Sequence, residues 1–405
     1  MDFLPSARAA AYIARIEAFL EAHVHPVEAA YHRELASRAD RWVVLPLIEE
    51  LKAKARAEGL WNLFLPDDRV GAGLSLTEYA PLAERMGHSA IAPEVFNCNA
   101  PDTGNMEVLY HFGTDAQKAR WLTPLAAGEI RSAFCMTEPE VACSDATNVS
   151  STVVDAGDTV VLNGRKWWST GVGHPNCKLL LFLGRSDPNA GRHQQHSLVL
   201  VPRDTPGVEV VRMLPTMGRY DEPYGHGEVH FDHVRVPREN VIGDLGWGFA
   251  IAQGRLGPGR IHHAMRLIGL AERALALACA RGSERVAFGK PLVNLGGNRE
   301  RIADLRIRID AARLMVLHTA WRIERDGAMA SMREIAQIKV LVPNVAQDAI
   351  DFSMQIHGAA GLSDDLPLAA AWTMARALRL ADGPDEVHRG LIARMELAAY
   401  GKGGA

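Results

Sequence analysis

The order of textures along the chain restricts its fold more than any single motif does. Residues 9–28 and 44–58 are rich in Ala, Leu, Glu and Arg, with apolar positions spaced for one face of a helix, and Thr114-Asp115 forms a cap for a further helix over 116–125. From about residue 133 short β-branched runs take over. Val153-Val154 and Thr159-Val160-Val161-Leu162 flank the turn Ala156-Gly157-Asp158, Asn163-Gly164 marks another turn, and 179–183, 197–201, 208–211 and 228–231 continue the series. After Pro237 the helical texture returns. Ile302, Leu305, Ile309, Val316 and Ile323 recur at helical spacing behind Asn298 as a cap. Ser331-x-x-Glu334 has the form of a capping box before another long helix, which Pro343 should kink or interrupt.

This order predicts a multidomain α+β protein: an N-terminal helical domain (1–132), a central small β-barrel or sandwich (133–240) and a C-terminal four-helix bundle (241–405). It is not the alternation of a doubly wound nucleotide fold, and neither G-x-G-x-x-G nor a P-loop follows a strand, which disfavours nicotinamide or ATP as the bound cofactor. With 48% apolar and 23% charged residues the chain can bury a large core. Forty-four basic against forty-eight acidic residues leave a net charge of −4, which argues against a nucleic-acid partner.

Apolar runs such as 179–183 are far shorter than the ~20 residues that cross a bilayer, and 267–280 is broken by Glu272 and Arg273, so no membrane insertion is expected. The start, Met1-Asp2-Phe3-Leu4-Pro5-Ser6, lacks a secretory pattern and the end, Gly401-Lys402-Gly403-Gly404-Ala405, lacks a lipidation or peroxisomal signal, so the cytoplasm is the expected location. The cysteines (Cys98, Cys135, Cys143, Cys177, Cys279) have no C-x-x-C spacing and read as buried or idle thiols, with no metal site.

Several ordered motifs carry chemistry. Phe134-Cys135-Met136-Thr137-Glu138-Pro139-Glu140-Val141-Ala142-Cys143-Ser144-Asp145 sits where helix gives way to strand, and Trp167-Trp168-Ser169-Thr170-Gly171 follows it. Val234-Arg235-Val236-Pro237-Arg238-Glu239-Asn240 closes the β region, Glu284-Arg285-Val286-Ala287-Phe288-Gly289-Lys290 lies in the last third, and Gln355-Ile356-His357-Gly358-Ala359-Ala360-Gly361 lies near the end. In this order and over nearly the whole chain, the set resembles the acyl-CoA dehydrogenase family. The resemblance implies FAD as cofactor, bound by Phe134, Met136, Thr137, Ser144, Trp168, Ser169 and Thr170 around the ring. Residue chemistry agrees: an indole offers a flat face to the isoalloxazine and threonine hydroxyls can bond its edge. Strand neighbours point to opposite faces, so at least one of Trp167 and Trp168 is expected in the core.

By the same resemblance Arg285 and Phe288 reach the diphosphate and adenine of a neighbouring subunit's flavin, with Gln355, Gly358 and Glu386 also on the cofactor, which implies a homodimer or homotetramer. A guanidinium suits a diphosphate through paired, charge-assisted bonds. Where the family often has Gln after the F-G-K triplet, this chain has Gly296, so that subunit contact must differ in detail.

The family's catalytic base, a carboxylate near the C-terminus, matches Asp382 in Ala381-Asp382-Gly383-Pro384-Asp385-Glu386-Val387-His388-Arg389, where most members have Glu. Aspartate is a methylene shorter, so substrate or backbone must sit closer, and enclosure by flavin and acyl chain should raise its pKa. Glu386 and Asp385 are alternative bases, a plain Asx turn is the bland one, and the position some relatives use for the base is Gly259, which cannot serve. Leu256-Gly257-Pro258-Gly259-Arg260-Ile261-His262-His263 breaks a helical stretch in a region that relatives use for CoA, with Arg260 and Ser144 on substrate.

Gly-Pro-Gly-Arg and the Asp base, with Asn99-Ala100-Pro101-Asp102-Thr103-Gly104-Asn105 and Trp167-Trp168-Ser169, resemble a branch sometimes fused to an aminoglycoside-phosphotransferase-like domain, which this sequence lacks. That branch is associated with long, branched or 4-hydroxylated acyl chains, the last by way of phosphorylation, and Asp102 and His226 are candidates to read a substituent. The implied activity is acyl-CoA dehydrogenation with electrons passed to an electron-transferring flavoprotein. An oxidase-like enzyme using O₂ or a non-CoA substrate, and a non-catalytic flavin-bearing interaction protein, stay open as alternatives.

Overall fold

The computed structural model of the chain describes residues 4–398, 400 and 401, without the side chains of 256–258. The readings placed on 1–3, on 402–405 and on the Leu256, Gly257 and Pro258 side chains lie outside the described residues. Helices α1 (Ala7–Phe19) and α2 (His25–Ser37) are joined by a π-helical turn, followed by α3 (Pro46–Ala57), α4 (Leu76–Met86), α5 (Ala92–Val95), α6 (Asp102–Phe112) and the short α7 (Asp115–Gln117) and α8 (Thr123–Ala126). Thr114 does cap: its hydroxyl accepts from Gln117 N while the Gln117 side chain accepts from Thr114 N.

Strands β1 (Arg131–Cys135), β2 (Thr152–Asp155), β3 (Thr159–Thr170), β4 (Cys177–Arg185), β5 (His196–Pro202), β6 (Val208–Leu214) and β7 (His226–Pro237) follow. Next come α9 (Gly248–Glu284), the hairpin β8 (Val286–Ala287) and β9 (Lys290–Pro291), and then α10 (Asn298–Asp326), α11 (Met332–His357), α12 (Leu368–Ala377) and α13 (Asp385–Ala398). The chain divides into two compact units, one of Met1–Glu28, Leu74–Pro93 and Gly257–Ala405 and the other of Ala29–Gly73 and Glu94–Leu256.

The second unit holds a mixed seven-stranded sheet in the order β1-β4-β2-β3-β7-β6, with β5 on the other side of β4, forming a half-barrel. Alternating apolar residues such as Val160, Leu162, Leu180, Phe182, Val199, Val229 and Phe231 fill its core. Asn163-Gly164 is not a turn. Strand β3 runs straight through it, and the pairing with β7 slips between Leu162 and Gly164. The glycine is required by space: a Cβ there would stand 2.0 Å from Ser151 Oγ, and the backbone has φ 150°.

In the other unit α11 buries Ile335, Ile338, Val342, Val345, Ala349 and Phe352, while α4 and α9 cross closely enough that a Cβ on Gly269 would meet the Glu84 carbonyl at 2.0 Å. Several local expectations give way here. The helix α9 continues through Gly257-Pro258-Gly259, and α11 through Pro343, because packing along a long helix outweighs the local propensity cost. Asn298 is the first residue of α10 rather than its cap, with Nδ2 donating to Leu292 O at 2.7 Å. Ser331 precedes α11 without capping it, since its hydroxyl donates to Gly327 O at 2.9 Å. The last third holds the long α9, α10 and α11 with the shorter α12 and α13.

Candidate active site

Strand β3 carries a bulge at its two tryptophans. Lys166 pairs with Val229 and Ser169 with Gly227, so β3 has a residue to spare, and Trp168 absorbs it at φ 53°. That conformation is strained for a bulky side chain, and it turns the indole out to 40% exposure. Trp167 is half-buried, so neither ring is the core residue that strict alternation predicts. The bulge also releases Trp167 N–H, which donates to the Thr137 carbonyl at 3.0 Å.

Lys166, fully buried, completes the link. Its Nζ donates to Met136 O (3.0 Å), Leu183 O (2.7 Å) and Glu138 Oε1 (2.7 Å). Glu138 also accepts from the N–H groups of Ser150 (2.8 Å) and Ser151 (2.9 Å) and from the Ser150 hydroxyl (2.6 Å). Burial pushes its carboxyl up, but Lys166 and the serine donors outweigh this and hold it at about 2. The two motifs are thereby pinned together, with Thr137 and Ser144 exposed and Phe134, Met136 and Thr170 half-buried. Thr170 Oγ1 lies 2.9 Å from His226 Nδ1, whose ring is 5.5 Å from that of Trp168.

In the helical unit the connection between α12 and α13 carries Asp382 at φ 57° and Gly383 at φ 100°. Basic side chains gather its carbonyls. Lys339 Nζ donates to Leu378 O (2.6 Å) and Gly383 O (3.1 Å), while Arg260 Nη2 and His388 Nε2 reach Asp382 O at 3.1 and 3.2 Å. The Asp382 side chain is 22% exposed, with Oδ2 3.7 Å from His263 Nε2. Burial lowers Lys339 to about 8 against the pull of Asp382, and burial with Arg260 and Lys339 lowers His388 to about 4.

At the hairpin tip, Phe288-Gly289 has φ 53° and 75°, the paired positive values of a tight two-residue β-turn, and Phe288 is 94% exposed. Arg285 beside it is exposed, as are Gln355 near the end of α11 and Gly358 just beyond it.

Family models of the acyl-CoA dehydrogenase N-terminal, middle and C-terminal domains match residues 7–129, 133–234 and 246–397. The chain belongs to the acyl-CoA dehydrogenase family. It is 53% identical over 401 residues to the probable acyl-CoA dehydrogenase FadE2 of Mycobacterium tuberculosis, covering 98% of this chain and 97% of that protein. Against acyl-CoA dehydrogenase family member 10 of Mus musculus it is 55% identical over 384 residues, 94% of this chain but 36% of that protein, so it spans about a third of that relative. A solved structure of a provisionally assigned acyl-CoA dehydrogenase from Mycobacterium abscessus superposes with TM-score 0.96 at 64% identity, covering 98% and 100% of the two chains. Butyryl-CoA dehydrogenase from Megasphaera elsdenii gives TM-score 0.83 at 26% identity, with 98% and 100% covered.

FAD is the cofactor of this acyl-CoA dehydrogenase family, and the residues present fit it. The strained, outward indole of Trp168 offers a flat face, beside the hydroxyl of Thr170 and close to the segment that presents Thr137. Ser169 is different: its side chain is buried, and its backbone pairs with Gly227 of β7.

Asp102 is buried, accepting from Ser132 N (2.7 Å) and Ser132 Oγ (2.5 Å) near Arg131, and burial pushes it up to about 6, so its carboxylate ties α6 to β1. His226 opens β7 rather than sitting in a turn and is engaged by Thr170. Asp385, the alternative base, is buried and held by Arg379 Nε (2.9 Å) and Asn344 Nδ2 (3.1 Å). Glu386 is exposed, 3.5 Å from Arg389. Sequence reasoning missed Lys166, Glu138 and Lys339. A legible signal existed for Lys339, a charge on the buried stripe of α11 between Ile335 and Pro343.

Proposed function

We propose that the chain removes one hydrogen each from Cα and Cβ of an acyl-CoA thioester, leaving the trans-2-enoyl-CoA. Asp382 takes the α-proton. FAD, when bound, supplies the acceptor for the β-hydrogen, which departs with its electron pair. The observation that carries the base assignment is the partly exposed Asp382 carboxylate on a loop whose backbone is held by Lys339, Arg260 and His388, in contrast to Asp385, which is buried with its Oδ2 held by Arg379 and Asn344. The Asp382 backbone N–H is assigned to the thioester carbonyl, where it would stabilise charge that develops as the α-proton leaves.

Trp168, Thr137 and Thr170 are assigned to the flavin together with Phe134, Met136, Ser144 and Ser169. Arg285, Phe288, Gln355 and Gly358 are assigned to a neighbouring subunit's cofactor in a homodimer or homotetramer, and Glu386 to the cofactor. Arg260 and Ser144 face the substrate in this reading, the electron acceptor is an electron-transferring flavoprotein, and the enzyme acts in the cytoplasm on a long, branched, 4-hydroxy or 4-phospho acyl-CoA. Among the described residues no helix is long and apolar enough to cross a membrane.

The test is anaerobic titration of the flavin absorption band with straight, branched, 4-hydroxy and 4-phospho acyl-CoAs. Bleaching by a thioester supports the assignment, and bleaching only by non-thioester substrates sinks it. Asp382→Asn should slow bleaching by about 10²- to 10⁴-fold at unchanged flavin content. A full rate in that variant removes the base assignment.

A further inference from the structure

We infer that Lys339 is a positioning residue for Asp382, holding the loop of the base in its left-handed conformation and supplying the buried positive charge that keeps the carboxylate ionised. The inference rests on Asp382 being the base. Lys339 projects from the buried face of α11, where Ile335, Ile338 and Val342 are its neighbours in sequence, and a lysine is tolerated there only if its ammonium is well satisfied. Its Nζ bonds span the loop: Leu378 O lies before Asp382 and Gly383 O after it, at 2.6 and 3.1 Å.

Between those anchors the backbone passes through φ 57° at Asp382 and φ 100° at Gly383, a path that a non-glycine residue such as Asp382 follows only when its surroundings enforce it. Burial drives the ammonium down to about 8, while the nearby Asp382 charge pulls it back up, so the attraction between the two works through a poorly hydrated interior. Other groups face the same loop: Arg260 and His263 from α9, Arg379 after α12, and Asp385, Glu386 and His388 from α13. Arg379 is committed to Asp385, and His388 is lowered to about 4 by burial and its cationic neighbours. Lys339 and Arg260 each feel the Asp382 charge, and His263 Nε2 stands 3.7 Å from its carboxylate. Arg260 holds one carbonyl of the loop, whereas Lys339 holds its two flanks.

The experiment compares wild type, Lys339→Met, Lys339→Arg and Asp382→Asn, each loaded with flavin. In Lys339→Met the acid limb of the kcat/KM profile should move up by about one pH unit, because a positive charge that interacts with Asp382 has been removed. kcat should fall by about 10- to 100-fold with KM little changed, as a displaced base implies. Lys339→Arg should restore the acid limb. A Lys339→Met enzyme with an unmoved acid limb, set against an inactive Asp382→Asn, overturns the positioning role and leaves the base assignment standing. An Asp382→Asn enzyme at full rate overturns the base assignment instead. Should Lys339→Met fail to fold, isotope-labelled lysine observed by NMR decides: the Lys339 midpoint should fall in Asp382→Asn relative to wild type, and an unchanged midpoint overturns the inference.

Discussion

Replacing Lys166 by Met should be among the most damaging single changes outside the Asp382 loop. The ammonium is fully buried with Glu138, and it also holds the carbonyls of Met136 and Leu183. Removing it strands the Glu138 carboxylate in the interior with only the Ser150 and Ser151 donors, a loss of about 3–5 kcal/mol for a broken buried pair. Lys166 and the serine donors together hold the Glu138 carboxyl at about 2, below its ordinary 4.5, so its ionised form stabilises the fold.

The sign follows from the depressed carboxyl. That stabilisation is fully present above pH 4.5, where the unfolded chain is also ionised, and it is lost as pH falls towards 2. Urea unfolding of wild type, Lys166→Met, Glu138→Gln and the double variant, repeated between pH 7 and pH 3, measures both effects. Each single variant should lose several kcal/mol near neutrality, the double variant should recover part of the loss, and Glu138→Gln should converge on wild type in acid. A Lys166→Met protein within about 1 kcal/mol of wild type at pH 7 would refute the reasoning, since no buried charge could then have been stranded.

Gly164→Ala should cost about 1–3 kcal/mol, because its Cβ would lie 2.0 Å from Ser151 Oγ and 2.9 Å from Ser151 Cα. Thermal unfolding checks it, Ser151→Gly should recover part of the loss, and a neutral Gly164→Ala would contradict the close approach. Phe288→Ala removes a side chain that is 94% exposed, so monomer stability should change by less than about 0.5 kcal/mol. Oligomer size by light scattering and flavin retention through dialysis should both fall if the hairpin serves a neighbouring subunit, and unchanged values for both would dismiss that role.

Much of the architecture could be read from the chain alone. Helical spacing, β-branched alternation and the Thr114/Gln117 cap depend on residues a few positions apart, so they survive without knowledge of the rest of the molecule. The motifs around Thr137, Trp168, Arg285, Gln355 and Asp382 were legible for the same reason, since each is a contiguous run of residue types. Errors fell where local preference met a long-range contact. Gly164 looked like a turn and is a gap filled by Ser151, while Pro343 and Gly259 looked like breaks and lie inside long packed helices.

Asp102 illustrates the limit most clearly. In the sequence it is a polar residue beside Pro101 and Thr103, free to face a ligand. In the fold its carboxylate is buried against Ser132, on the first strand of the sheet. Sequence by itself determined the α, β, α order, the family and the residue types offered to the cofactor and base. Tertiary structure decided the surroundings of each: a bulge turned Trp168 outward, Arg379 bonded Asp385, and Lys339 took the Leu378 and Gly383 carbonyls on either side of Asp382. The physical reason is that a polar group's role depends on its burial and its partners, and both come from segments far away along the chain.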